Sequence, residues 1–86
     1  MIQRPRSIAK QMKELLRERI LQREFEPSGR LPSETQLAAE FSVSRATVRT
    51  ALAALAAEGL IVRRHGDGTY VNQRVLEVTT RLDSVW

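Results

Sequence analysis

The sequence predicts a mainly α-helical domain with a small β-hairpin, built as three helices followed by two strands. Three observations predict this fold class. Apolar residues recur with helical spacing near the start of the chain. Two helix-start signals separated by a short turn follow between Leu31 and Gly59. A β-branched run, a glycine-containing turn and a second short run then predict the hairpin.

The composition bounds the protein to one small domain of ordinary globular character. The chain has 86 residues, of which 42% are hydrophobic and only 5% aromatic. The core must therefore consist mainly of aliphatic side chains. A net charge of +4 favours polyanionic partners such as nucleic acid, but it also lies within the ordinary range of globular domains. The positions of the charges must decide between these interpretations.

Residue usage argues against several classes of function. The chain has no cysteine and a single histidine, His65, which excludes disulfides, thiol catalysis and thiolate or histidine-cluster metal sites. No arrangement of acid, base and nucleophile suggests an enzyme. No apolar run approaches the roughly 20 residues of a membrane span, and the first residues lack the pattern of a secretion signal. We expect a cytoplasmic protein that carries no cofactor in this chain and does not contact a membrane.

The first predicted helix follows a short basic segment. We expect residues 1–6 to be a flexible basic arm, Ser7 to be the N-cap and the helix to run to about Glu24. Pro27 and the glycine after Ser28 end it. The side chains expected to form its buried stripe are Ile8, Met12, Leu15, Leu16 and Ile20.

The second predicted helix begins after Ser33. Because Pro32 disfavours helix at the preceding residue, Arg30 and Leu31 should be extended. Ser33 and Gln36 match the pattern of a capping box. This helix should end near Phe41.

The third predicted helix spans about residues 45–58, with Ser44 as N-cap and Gly59 as terminator. It completes a helix-turn-helix over about residues 34–53. One face carries the apolar residues Val48, Ala51, Leu52 and Leu55. The opposite face is polar at its start and should point away from the core.

The rest of the chain predicts a hairpin and a final segment with two alternative roles. Residues 60–64 and 69–72 should pair around a turn at residues 65–68, which completes a domain over residues 7–72. Residues 73–86 read as a linker or as the start of an effector domain that is absent from this chain. The alternative is a strand or helix that docks on the same domain.

The polar start of the third helix has the side chains that a helix needs in the major groove of DNA. Arg45 and Arg49 lie one turn apart, and arginine is the best partner for guanine O6 and N7. Ala46 allows close approach and could touch a thymine methyl. Hydroxyl side chains suited to phosphates or to positioning stand nearby at Ser33, Thr35, Ser44, Thr47 and Thr50.

The hairpin supplies a separate candidate contact, a wing. Its residues with suitable charge or backbone freedom are Arg64, His65, Gly66, Gly68 and Thr69. Exposed arginines and glycine-containing turns are common without any such role. Only their order and spacing within one domain favour DNA binding.

These residues resemble a known family. LPSETQLAAEFSVSRATVRTALAALAAEGLI followed by RRHGDGTYV is similar to the winged helix-turn-helix domain of the GntR family of bacterial transcription regulators, over about residues 5–72. The wing sequence GTYV also resembles that of the HutC-like branch.

The resemblance implies a homodimer that binds short palindromic operators in double-stranded DNA, with a small-molecule effector bound by a missing C-terminal domain. It implies guanine reading by Arg45 and Arg49, a phosphate contact from Thr47 and minor-groove approach at Gly66. Many members carry arginine where this chain has Thr35, and threonine or serine where it has Ala46.

A different class of function is a winged-helix module that binds another protein. In that case the outer face of the third helix should be apolar. It is instead rich in arginine and threonine, which favours the DNA-binding hypothesis.

Overall fold

The structure, a computed structural model, describes residues 5–77, with side chains from residue 8. In this range the chain forms α1 (Pro5–Leu21), α2 (Glu34–Phe41), α3 (Arg45–Ala57), β1 (Ile61–Arg64) and β2 (Gly68–Val71), and residues 73–77 are helical. The mainly helical fold with one hairpin is confirmed. No helix in this part of the chain is both long and apolar enough to cross a membrane.

Helix α1 differs from its predicted limits at both ends. It begins at Pro5 rather than after Ser7, and proline suits the first helical position because it lacks an N–H donor. Residues 1–4 of the predicted arm lie outside the described residues. The helix ends at Leu21, because Arg23 adopts a left-handed conformation with φ of 64°. The N–H groups of Arg23 and Glu24 donate to the carbonyls of Ile20 and Arg19, a Schellman ending.

The buried stripe of α1 is also narrower than predicted. Ala9, Met12, Leu16 and Ile20 are buried, but Ile8 is 48% and Leu15 56% exposed. At about 100° per residue, Ile8 and Leu15 lie to one side of the direction shared by the buried four. Helix α1 packs chiefly on α3, so that side stays open.

The loop between α1 and α2 adds to the core and to the wing. Phe25 and Leu31 are buried. Leu31 N–H donates to the carbonyl of Thr69 at 2.9 Å, and Arg30 forms an isolated antiparallel bridge with Tyr70. The predicted extended conformation before Pro32 is therefore present, and it joins this loop to the hairpin.

The helix-turn-helix is formed by the caps that the sequence predicts. Ser33 Oγ accepts the N–H of Gln36, whose side chain accepts the N–H of Ser33. Ser44 Oγ accepts the N–H of Thr47. Ser42, with φ of 56°, turns the chain between the helices. The predicted inner face of α3 is confirmed by the buried residues Val48, Ala51, Leu52 and Leu55.

The hairpin pairs Ile61 with Val71 and Arg64 with Gly68 in an antiparallel register. Ile61 and Val71 are buried at the end nearest α3, and the opposite end projects from the domain. This hairpin is the predicted wing, and its base is fixed by the core.

The domain extends beyond the predicted boundary at residue 72. Leu76 is 2% exposed and belongs to the core cluster, and its carbonyl accepts a hydrogen bond from Arg23 at 3.1 Å. Asn72 Nδ2 donates to the carbonyl of Gly59 at 2.8 Å. Residues 73–77 therefore dock on this domain, as in the alternative interpretation, while residues 78–86 lie outside the described residues.

Ion pairs connect the C-terminal end of α3 to α1. The Glu58 carboxylate lies 2.7 Å from Lys13 Nζ and 2.6 Å from an Arg17 guanidinium nitrogen. Hydrogen bonds from Lys13 and Arg17 hold the pKa of the Glu58 carboxyl below its ordinary value of 4.5. The same contacts raise the pKa of Lys13. The three side chains are partly exposed, so the contribution of these ion pairs to stability is modest.

Replacing Leu16 by alanine should strongly destabilise the fold, because Leu16 is completely buried between the helices. We expect a loss of about 2–5 kcal/mol in the free energy of unfolding, measured by urea denaturation followed by circular dichroism. Leu15→Ala is the matched control, since Leu15 is exposed, and should change stability by no more than about 0.5 kcal/mol. Equal losses in the two variants would contradict this packing.

Acid should weaken the contribution of Glu58 to stability. Its pKa is depressed in the folded state, so the contribution is present above the unfolded pKa and disappears as pH falls through the folded pKa. The stability difference between the wild type and Glu58→Gln should therefore be constant near neutral pH and shrink below about pH 4.5. Urea denaturation of both proteins at pH 7 and pH 3 measures it. A difference that grows in acid would have the wrong sign.

Candidate nucleic-acid interface

The start of α3 presents three side chains to solvent. Arg45, Ala46 and Arg49 are exposed, while the opposite face of the helix is buried. Among the described residues no carboxylate lies within ion-pair distance of Arg45. The predicted base-reading residues therefore share one accessible face.

Glu34 connects this face to the wing. Its carboxylate accepts a hydrogen bond from Arg49 Nε at 3.1 Å and lies 3.7 Å from a guanidinium nitrogen of Arg63 on β1. Because Glu34 engages Arg49 through Nε, both terminal nitrogens of that arginine remain available for a base edge. Neither of these two contacts of Glu34 is predicted from the sequence. Helical spacing within α3 could not reveal a contact between three elements.

The predicted hydroxyl contacts divide into two groups. Thr50 donates its hydroxyl to the Ala46 carbonyl at 3.1 Å, and Ser44 Oγ lies 3.0 Å from Thr47 Oγ1. Ser33 accepts a backbone N–H but keeps its own O–H available, and Thr35 is exposed in the first turn of α2. Ser33 and Thr35 are thus better placed than Thr50 to donate to a phosphate.

The wing exposes its turn. Arg64, His65 and Gly66 are exposed, whereas Gly68 and Thr69 are half-buried. Gly66 has φ of 74°, a region that disfavours most side chains. Apart from its chain neighbours, no described residue has an atom within 4 Å of where its Cβ would lie. The wing tip can therefore approach another surface closely through its backbone.

Arg30 and Tyr70 complete the wing, and sequence reasoning missed their roles. Arg30 donates to the Asp67 carbonyl at 2.8 Å, and Tyr70 donates its hydroxyl to the Asp67 carboxylate at 3.1 Å. The Arg64 guanidinium lies 4.6 Å from the centre of the Tyr70 ring. These contacts fix the turn. No sequence pattern connects Arg30 with a turn 37 residues later.

The arrangement is suited to binding a polyanion. Exposed arginine side chains stand on α3, on the wing and in the loop before α2. The N-terminal ends of α2 and α3 add free N–H groups, which favour anions. Within residues 8–77, no three acidic or histidine side chains gather as metal ligands would. The described site therefore offers hydrogen-bond donors and positive charge.

Comparison with known proteins agrees with this geometry. The model of the family described as "Bacterial regulatory proteins, gntR family" matches residues 8–71. The chain is 43% identical over 75 residues to the HTH-type transcriptional repressor NagR of Bacillus subtilis, a match over 87% of this chain and 31% of NagR. It is 41% identical over 73 residues to the histidine utilization repressor of Klebsiella aerogenes, over 80% of this chain and 30% of that protein. The chain thus spans less than a third of the length of these relatives.

Solved structures give the same result. The DNA-binding domain of AraR in complex with operator ORE1 superposes with a TM-score of 0.71 at 34% identity, covering 83% of this chain and 82% of that one. A GntR family transcriptional regulator from Listeria monocytogenes superposes with a TM-score of 0.74 at 25% identity, over 90% and 74% of the two chains. The chain therefore belongs to the gntR family of bacterial regulatory proteins and carries the winged-helix DNA-binding domain of a transcriptional regulator rather than an enzyme.

Proposed function

We propose that this domain binds operator DNA with the start of α3 in the major groove and the wing at the minor groove. The observation that carries the proposal is the position of Arg45 and Arg49. Both are exposed one turn apart on the face of α3 opposite the core. A helix held in this way can enter the major groove and donate two pairs of hydrogen bonds to guanines.

Contacts to the DNA backbone would set the position of α3. The N-terminal end of α2 offers free N–H groups beside Ser33 and Thr35, and Ser44 and Thr47 stand at the start of α3. Phosphate contacts of this kind fix register and orientation but carry no base preference. We expect a smaller contribution from Thr50, because its hydroxyl already donates within α3.

The whole protein is proposed to be a cytoplasmic, ligand-responsive repressor. Support comes from the two relatives that are called repressors, of which this chain matches less than a third. The remaining part would bind the small-molecule effector, and a homodimer would bring two such domains to the half-sites of a palindromic operator. Two linked domains bind far more tightly than one, because the second contact becomes intramolecular.

Arg49→Ala should weaken binding to a preferred operator by about 1–3 kcal/mol and relax base preference at one position. The substitution removes the guanidinium group that Glu34 contacts and that would face the base edges. A preferred duplex can be obtained by selection from a random-sequence pool with the wild-type chain. Fluorescence anisotropy at fixed salt then measures both affinity and preference.

Arg17→Ala is the control for this experiment, since Arg17 is paired with Glu58 at the far end of α3. It removes the same charge and should leave base preference unchanged. Unaltered preference in Arg49→Ala would contradict the assignment of this residue. Failure of the wild-type chain to retain any duplex would instead favour a protein-binding winged helix.

Gly66→Asn should weaken DNA binding while leaving the fold stable. Asparagine tolerates the left-handed conformation of Gly66, and its side chain would enter space that the protein leaves open. A wing that approaches the minor groove would then be held away from it. Anisotropy titration and thermal unfolding of the variant measure the two effects, and unchanged affinity with unchanged stability would contradict a close approach at Gly66.

A further inference from the structure

The base of the wing holds an arginine that lies outside the helix-turn-helix. Arg30 is exposed, and one hydrogen bond and one cation–π contact hold its guanidinium. It donates to the Asp67 carbonyl at 2.8 Å, and its Nε lies 3.1 Å from the place where a Cβ on Gly68 would stand. Its guanidinium carbon is also 5.9 Å from the centre of the Tyr70 ring. The side chain is thus held against the wing rather than free in solvent.

No ion pair within the described part of the chain neutralises the charge of Arg30. Among residues 8–77, carboxylates pair with Lys13, Arg17, Arg19, Arg49 and Arg63. No such pair forms with Arg30 in this range, and the Asp67 carboxylate accepts the Tyr70 hydroxyl instead. A guanidinium has five N–H donors, and Arg30 uses one of them within the described residues. Its terminal N–H groups that make no hydrogen bond in this range can donate to an acceptor outside the protein.

The position of Arg30 lies between the two proposed groove contacts. It lines an open groove with Ser33 at the N-terminal end of α2 and with Gly68 and Thr69 of the wing. Glu34 also lines this groove, but its carboxylate already faces Arg49 and Arg63. If α3 enters the major groove and the wing reaches the adjacent minor groove, the DNA strand that separates these grooves must pass between them.

We propose that Arg30 binds a phosphate of this strand and is a DNA-contacting residue of the domain. The inference rests on the docking proposed above. Because Arg30 is also bonded to the backbone of the wing turn, it couples the position of the wing to the phosphate that it binds. Its contact is independent of base sequence, since phosphates carry no base information.

The salt dependence of binding tests the proposal. Each phosphate contact contributes about 0.9 to the slope of log affinity against log salt concentration. The 86-residue chain is titrated over a range of salt with the selected duplex and with an unrelated duplex of equal length. Arg30→Met retains the apolar stem and should lower the slope by about 0.9 on both duplexes, leaving their affinity ratio unchanged. Arg30→Lys should restore most of the slope.

Arg17→Met is the matched control, because it removes one positive charge beside Glu58 and should leave the slope as in the wild type. If Arg30→Met keeps the wild-type slope, the proposal is overturned. This holds even if the variant unfolds more easily, because Arg30 would then only stabilise the wing. An equal loss in both variants would also overturn it, as an effect of net charge alone. If Arg45→Ala loses base preference while Arg30→Met keeps its slope, the docking stands and only the role of Arg30 fails.

Discussion

Burial of one face of α3 is the constraint on which the rest of the structure depends. Val48, Leu52 and Leu55 are at most 1% exposed and pack among residues of α1 and α2. An α-helix with a fixed buried face has a fixed outer face. Packing therefore holds Arg45 and Arg49 outward before any DNA is present. The hydrophobic core thus orders the candidate interface in advance. DNA binding would therefore not have to offset the entropy cost of ordering this helix.

Polar contacts then align the parts of the interface with one another. Glu34 on α2 contacts Arg49 of α3 and Arg63 of the wing, and Arg30 contacts the wing turn. Exposed ion pairs of this kind add little to the free energy of folding. Their value lies in geometry, since they limit the directions that long arginine side chains can take. The strong packing contacts and the weak orienting contacts thus have separate roles.

Local signals in the sequence predicted most of the fold, and tertiary contacts account for what they missed. The caps at Ser33 and Ser44 and the inner face of α3 follow from residues within one or two turns of each other. The end of α1 could not be predicted in this way, because an arginine in the left-handed conformation gives no sequence signal of the kind that glycine gives. The burial of Leu76 could not be predicted either, because an apolar residue after the hairpin can pack in the core of this domain or in that of another domain.

The candidate site likewise contains features that the sequence predicts and contacts that it does not predict. The outward direction of Arg45, Ala46 and Arg49 could be predicted from helical periodicity alone. The engagement of Glu34 with two arginines could not, because it depends on how α2, α3 and β1 meet. The hydroxyl bond of Thr50 could not be predicted either: its residue type suits a phosphate, but its hydroxyl donates to the preceding turn of its own helix.

The most direct test of groove reading by α3 is methylation interference on a selected duplex. Methylation at guanine N7 blocks the major groove, and methylation at adenine N3 blocks the minor groove. The account predicts that guanine N7 methylation prevents binding within the half-site and that adenine N3 methylation interferes only beside it, where the wing approaches. Binding that is insensitive to guanine N7 methylation would contradict the placement of Arg45 and Arg49 in the major groove.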